Sequence, residues 1–153
     1  MKQHLVRFTA TGAFSGYLRP YSGTWGTIPA WLIAYYLVRG DNLILIAIAV
    51  ATFLVSVWSS DEAEQIFGHD AKRIVIDEWA GMFVTLLFVP FSLTNYIIAF
   101  VAFRGFDVVK LWPAARFEKL PGGWGVTMDD IAAGVHANLF TQGVIWLLGS
   151  GLI

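Results

Sequence analysis

The sequence predicts an all-α protein built into a membrane: a polytopic helical bundle of about five spans or hairpins, with interfacial segments on the cytoplasmic side. Three observations predict it. Of 153 residues, 57% are hydrophobic and only 14% are charged, with a mean hydropathy of +0.64. Soluble domains carry roughly 45–50% apolar and about 25% charged residues, and a core of this size cannot bury the excess, so lipid is expected to take it. The apolar residues also fall into discrete runs, at 28–38, 43–58, 79–90, 96–103 and 131–153. Finally, the charges are segregated along the chain, although they nearly cancel at a net −1.

The length is that of one domain. No repeat, low-complexity tract or linker divides it, so residues 1–153 are expected to form a single membrane-embedded domain. The N-terminal Met1-Lys2-Gln3-His4-Leu5-Val6-Arg7 lacks the apolar run of a secretory signal, which leaves insertion to the internal segments. With no cysteine, disulfides, thiolate nucleophiles and Cys-based zinc sites are excluded.

Taken in order, residues 1–27 are mixed and end in a Gly-rich stretch. Only the last apolar run reaches the roughly 20 residues that cross a hydrocarbon core as a helix. The others are expected to gain a turn or two at their charged ends and to pair as hairpins. Runs 28–38 and 43–58 would turn at Arg39-Gly40-Asp41-Asn42, and runs 79–90 and 96–103 at Pro90-Phe91-Ser92-Leu93-Thr94-Asn95. The alternative is one kinked span over 79–103. Charge favours the hairpins, because they put every Lys and Arg except Arg39 on one side, nine against one. The positive-inside rule assigns that side to the cytoplasm. The seven tryptophans mostly flank apolar runs, as an interfacial belt does.

Five clusters carry chemistry. Ser22-Gly23-Thr24-Trp25-Gly26-Thr27 lies before the first run, with Pro29 near the expected first helical position. Glycines admit close backbone approach and hydroxyls add donors, so a phosphate cradle competes with a plain capped turn. Asp61 and Glu64, three apart, share a helix face; a solvated helix end explains them equally well. Asp77-Glu78 sits between Ile74-Val75-Ile76 and Trp79-Ala80-Gly81-Met82-Phe83. Carboxylates at a lipid edge are costly unless paired, hydrated or metal-bound, and capping the next helix needs only one acid.

A continued helix would align Arg104, Asp107 and Lys110 at i, i+3 and i+6, giving a planar fork and a point charge for a phosphate. Membrane anchoring with an Arg–Asp pair is the plain alternative. Last, Gly122-Gly123-Trp124-Gly125-Val126-Thr127-Met128-Asp129-Asp130 opens the long final run. Two adjacent acids after a flexible Gly-rich loop suit a metal better than a cap, and Gly134 permits a close helix approach. His136 reads as a packing histidine. Clustered carboxylates with little histidine favour Mg²⁺ over zinc.

In combination, Gly23-Thr24-Trp25-Gly26-Thr27, Ile76-Asp77-Glu78-Trp79-Ala80-Gly81-Met82, the 103–110 block Phe-Arg-Gly-Phe-Asp-Val-Val-Lys, and the block from Gly123 through Asp129-Asp130 to Gly134 resemble the phosphatidylglycerophosphatase A family over residues 15 to 140. The chain departs from the family pattern at Tyr21-Ser22, at Thr27, and at Leu111-Trp112 ahead of Pro113. The resemblance implies an all-helical, Mg²⁺-dependent phosphatase of the bacterial inner membrane, active on its cytoplasmic side. Its reaction takes phosphatidylglycerophosphate to phosphatidylglycerol in phospholipid biosynthesis. By motif, Asp77, Glu78, Asp107, Asp129 and Asp130 would be catalytic. Of these, Asp77, Glu78, Asp129 and Asp130 would also hold metal, with Asp61 and Glu64 as further metal candidates. Gly23, Thr24, Thr27, Arg104 and Lys110 would bind substrate. A phospholipid and the membrane are the expected partners, and no nucleic acid. A lipid-headgroup phosphotransferase and a non-enzymatic scaffold or carrier are the alternatives. A carrier would place ionisable groups near the midplane, whereas these lie at the ends of the runs.

Overall fold

The computed structural model describes residues 2–68 and 71–150. Among them there is no strand, and seven α-helices follow in order: α1 (Lys2–Ala10), α2 (Ser22–Ile33), α3 (Asn42–Phe67), α4 (Ile76–Thr85), α5 (Leu93–Val109), α6 (Ala114–Phe117) and α7 (Gly123–Ser150). By length and composition α3 and α7 are apolar enough to cross a membrane. Two helices among the described residues thus qualify alone, where about five spans are expected.

The first hairpin turns where the sequence places it. Arg39 and Gly40 take left-handed backbone angles (φ 55° and 83°). Asp41 then caps α3 by accepting from the N–H groups of Leu43 and Ile44. At Gly40 a Cβ would also stand 2.8 Å from the Phe91 Cβ, which is why the turn uses glycine there. The single kinked span over 79–103 is overturned, because the chain leaves the helix after Thr85 and re-enters it at Leu93. Ser92 caps α5 through the Asn95 N–H, while the Asn95 side chain donates to Pro90 O at 2.9 Å.

Two helix starts lie earlier than expected. Residues 22–27 are not a loop but the first turns of α2, and Pro29 lies inside that helix. Gly123 and Gly125 likewise belong to the first turn of α7. Packing overrides the poor helix propensity of glycine in both places. A Cβ on Gly26 would stand 2.5 Å from the Val75 Cβ, and the Trp79 indole donates to Gly26 O at 2.8 Å.

The core is rich in alanine, so the helices come close. Ala30, Ala49, Ala99, Ala102, Ala133 and Ala137 join Met82 and Phe83 of α4 and Leu86 just past its end in one cluster, and α4 packs against α2, α3, α5 and α7. Run 79–90 is expected to form one limb of a hairpin with 96–103; its helical part is the buried centre of the bundle. Outward faces stay apolar, as at Leu43, Val50 and Leu54 of α3 and Leu139 and Trp146 of α7. Five tryptophans (25, 58, 112, 124 and 146) are exposed. Trp31 and Trp79 instead turn inward and donate to backbone carbonyls, which corrects the belt reading for those two.

Candidate active site

One end of the bundle gathers the start of α2, the start of α4, the end of α5 and the first two turns of α7 around a cavity of about 310 Å³. Its lining includes Gly23, Lys72, Asp77, Glu78, Arg104, Asp107, Lys110, Asp129 and Asp130.

The acids arrive there because α4 and α7 cross with no side chain between them. A Cβ on Gly134 would stand 2.5 Å from Gly81 O, and one on Gly81 would stand 2.7 Å from Asp130 O. One helical turn before each glycine come Asp77 and Asp130. One turn after come Thr85 and Asn138, where the Asn138 amide donates to Thr85 O at 2.8 Å and to Leu87 O at 2.7 Å. The same i, i+4 face thus carries the acid, the crossing and the lock on both helices. The close approach expected of Gly134 is what the structure has.

Both acid pairs are buried, with Asp77 and Glu78 at 7% and 8% exposure and Asp129 and Asp130 at 5% and 4%. Asp129 and Asp130 lie nearly two turns into α7, too deep to be caps. Asp77 does serve the start of α4, since its Oδ1 accepts the Glu78 N–H at 3.0 Å. Glu78 turns away from the helix end: its Oε2 accepts from Thr27 Oγ1 at 2.8 Å and pairs with Arg104 Nη1 at 3.3 Å. Arg104 Nη1 also meets Asp107 Oδ2 at 2.9 Å, while its Nε is buried and reaches no acceptor among the described residues. Lys110 ends α5 in a left-handed conformation, so the expected i+6 continuation stops there. Its ammonium still reaches the cavity, bridging Asp129 Oδ2 at 2.8 Å and Glu118 Oε1 at 3.0 Å.

Asp77 and Glu78 precede the apolar stretch that begins at Trp79. Burial pushes the Asp77 carboxyl well above the usual range, and the charges of Glu78 and Asp129 add to this. Burial also raises Glu78, to about 7, against the Arg104 guanidinium and the Thr27 hydroxyl, which favour its ionised form. At Lys110 burial opposes the charge, but the bonds and charges of Asp129 and Glu118 prevail and its pKa is raised. Asp77 and Asp130 pair with no Lys or Arg among the described residues. Buried carboxylates in that position need a proton or a cation. No three acids among the described residues converge into a ready-made ion cage.

The structure thus gathers Asp77, Glu78, Asp107, Asp129, Asp130, Gly23, Arg104 and Lys110 at one cavity, with Thr27 buried just behind Glu78. It leaves out three candidates. Thr24 is not on the wall. Asp61 is exposed and lies against Gly122, and Glu64, one turn further along α3, is not on the wall either. His136 stacks on Phe106, as a packing histidine does. Sequence reasoning missed Glu118 and Lys72. Lys72 lies in the connection between α3 and α4, and Glu118 lies past a proline turn; no local pattern marks either one.

An all-α bundle with an apolar exterior, holding carboxylates and three cations in one pocket at its end, fits a class: helical proteins that handle phosphorylated ligands at a membrane. Within that class the chain belongs to the phosphatidylglycerophosphatase A family, a family of phosphatases, whose sequence model matches residues 8–145. It is 32% identical over 149 residues to a phosphatidylglycerophosphatase A of Haemophilus influenzae, covering 94% of this chain and 91% of that one. It is 31% identical over 147 residues to the Escherichia coli protein of the same name, covering 92% and 81%. A Bacteroides thetaiotaomicron protein described as a putative phosphatidylinositol-3-phosphatase is 34% identical over 147 residues, covering 91% and 92%. No solved structure matches the chain.

Proposed function

We propose that the chain hydrolyses the terminal phosphate of phosphatidylglycerophosphate, giving phosphatidylglycerol and inorganic phosphate, in a Mg²⁺-dependent reaction at the bacterial inner membrane. One observation carries the reading: Asp77 and Asp130, buried without a basic partner, stand in one cavity with Arg104 and Lys110. The relatives named for this activity supply the substrate.

The donor set fits Mg²⁺, which takes one or two carboxylates and completes its shell with waters and phosphate oxygens. Asp77, Asp129 and Asp130, with Glu78 or Asp107, would hold one or two such ions. Bound there, the ion supplies Lewis acidity toward the phosphoryl group and a more acidic water. Arg104 and Lys110 bind the phosphate oxygens, exchanging their present carboxylate partners for it. The unpaired first-turn N–H groups of α2, at Ser22 and Gly23, add donors on the same wall. Glu78, with a pKa of about 7, suits a group that takes a proton from the attacking water at neutral pH. The attack forms a phosphorus–oxygen bond and breaks the one to the glycerol oxygen, which leaves with a proton.

In this reading α2 with the wide helical turn Ala34–Val38 that follows it, α3, α4 from Trp79 onward, α5 and α7 make five spans or partial spans, and the site faces the cytoplasm. Accessibility probes at Asn42 and Asn95 should then report the periplasmic side; a cytoplasmic signal at Asn95 overturns that topology.

The name of the Bacteroides relative makes phosphatidylinositol 3-phosphate the competing substrate. Phosphate release from each lipid in detergent, with and without Mg²⁺, decides between them. Release from phosphatidylglycerophosphate at least tenfold faster, and lost without Mg²⁺, is expected. Equal or faster release from the phosphoinositide overturns the substrate. No release from either, with Asp129→Asn and Asp130→Asn indistinguishable from the native protein, points to the scaffold.

A further inference from the structure

Beside the acidic cavity lies a larger groove of about 800 Å³, lined by Gly16, Tyr17, Arg19, Pro20, Tyr21, Ser22, Phe67, Ala71, Lys72 and Arg73. Its charge is opposite to that of the cavity. Three cations line it and, among the described residues, no acid does. Nor does any described carboxylate pair with Arg19, Lys72 or Arg73. Arg73 is nonetheless held in place, its guanidinium over the rings of Tyr17 at 5.5 Å and Phe67 at 5.9 Å. Such stacking orients the planar fork while leaving its N–H groups for an anion. Groove and cavity are neighbours, with Ser22 and Lys72 lining both.

We propose that this groove binds the phosphodiester of a phospholipid whose terminal phosphomonoester occupies the acidic cavity. The inference rests on the substrate reading above and deepens it. A phosphatidylglycerol phosphate carries two phosphates one glycerol apart. The cavity accepts the terminal one with Arg104 and Lys110 at the cost of five nearby carboxylates, which repel a second anion. The diester therefore needs its own cations, outside the acid cluster and on the way to the lipid. Arg19, Lys72 and Arg73 stand there, next to the exposed Leu18 and Tyr21 that suit a membrane interface. The groove thereby favours a lipid with a diester behind the monoester over one whose monoester sits directly on the diacylglycerol.

Arg19→Gln and Arg73→Gln test this, with Arg19→Lys and Arg73→Lys as charge-retaining partners. Two readouts are taken on detergent-solubilised protein: steady-state hydrolysis of phosphatidylglycerophosphate, and equilibrium binding of short-chain phosphatidylglycerol, which carries only the diester. Each Gln variant should raise KM about tenfold, by more than any fall in kcat, and weaken phosphatidylglycerol binding by a similar factor. The Lys variants should recover most of both. Inorganic phosphate in tenfold excess should not displace phosphatidylglycerol; if it does, the groove is a general anion site and the proposal falls. Unchanged phosphatidylglycerol binding in both Gln variants also overturns it. A native protein that binds phosphatidylglycerol through these residues but releases no phosphate sinks the hydrolytic reading and leaves the groove standing.

Discussion

Replacing Gly23 by alanine separates the fold from the site. An added Cβ would stand 2.5 Å from Arg104 Nη2 and 2.5 Å from Glu78 Oε1, where ordinary contact begins near 3.4 Å. The two side chains must therefore retreat by about 0.9 Å. Both contacts are with the ends of flexible side chains, so the fold yields at little cost. Alanine also gains up to about 1 kcal/mol of helix propensity over glycine. The retreating atoms, however, belong to the guanidinium and the carboxylate that pair through Nη1 and Oε2, and that guanidinium would meet the phosphate. A misplacement of about 1 Å at such a site costs on the order of 10²-fold in rate, or about 2.7 kcal/mol of transition-state stabilisation. The expected result for Gly23→Ala is a kcat/KM for phosphate release lowered about 100-fold, with a melting temperature within a few degrees of the native one. A variant within twofold of native activity refutes the reasoning. So does one whose loss tracks a large drop in melting temperature.

Three further outcomes are expected. Asp130→Asn removes a buried charge that no cation balances in the metal-free protein. It should melt no lower than native without Mg²⁺, lose the stabilisation that Mg²⁺ confers on the native protein, and lower kcat by 10³-fold or more in phosphate release. Gly134→Ala drives a methyl into the Gly81 backbone, which cannot swing aside; a loss of about 1–3 kcal/mol is expected, read as a lowered melting temperature. For Glu78, burial raises the folded-state pKa from about 4.5 to about 7, so the unfolded chain releases its proton first. Its contribution is fully present below pH 4.5 and is lost as pH rises to about 7. The metal-free protein should melt lower at pH 8 than at pH 4.5, and Glu78→Gln should shrink that difference.

How much of this could be read from the sequence depends on the scale of the signal. Asp77-Glu78 was legible because an acid pair flanked by Ile76 and Trp79 breaks an apolar pattern, and that contrast is local. The turn at Arg39-Gly40 was legible for the same reason. The start of α2 was not. Glycines and an expected N-terminal proline read as loop, but Val75 and Trp79 close over Gly26 and hold it helical. That contact spans some 50 positions and leaves no trace in the segment itself. Run 79–90 is ambiguous in another way. Composition cannot tell a helix buried among helices from one bathed in lipid, since both are apolar on every side. Lys110 had the right residue type and the right destination, yet it arrives by ending its helix and not by extending it.

The glycine crossing of α4 and α7 has a mechanical consequence. It behaves as the pivot of a pair of scissors, with Asp77 and Asp130 one helical turn, about 5.4 Å, from the pin. A rocking of one helix by about 10° would change the gap between these acids by about 1 Å, while the far end of α7 swept several times that distance. Because the pin is main chain against main chain, the short blades keep their setting whatever side chains clothe the long handles. Motion at the handles therefore reaches the acids scaled down several-fold.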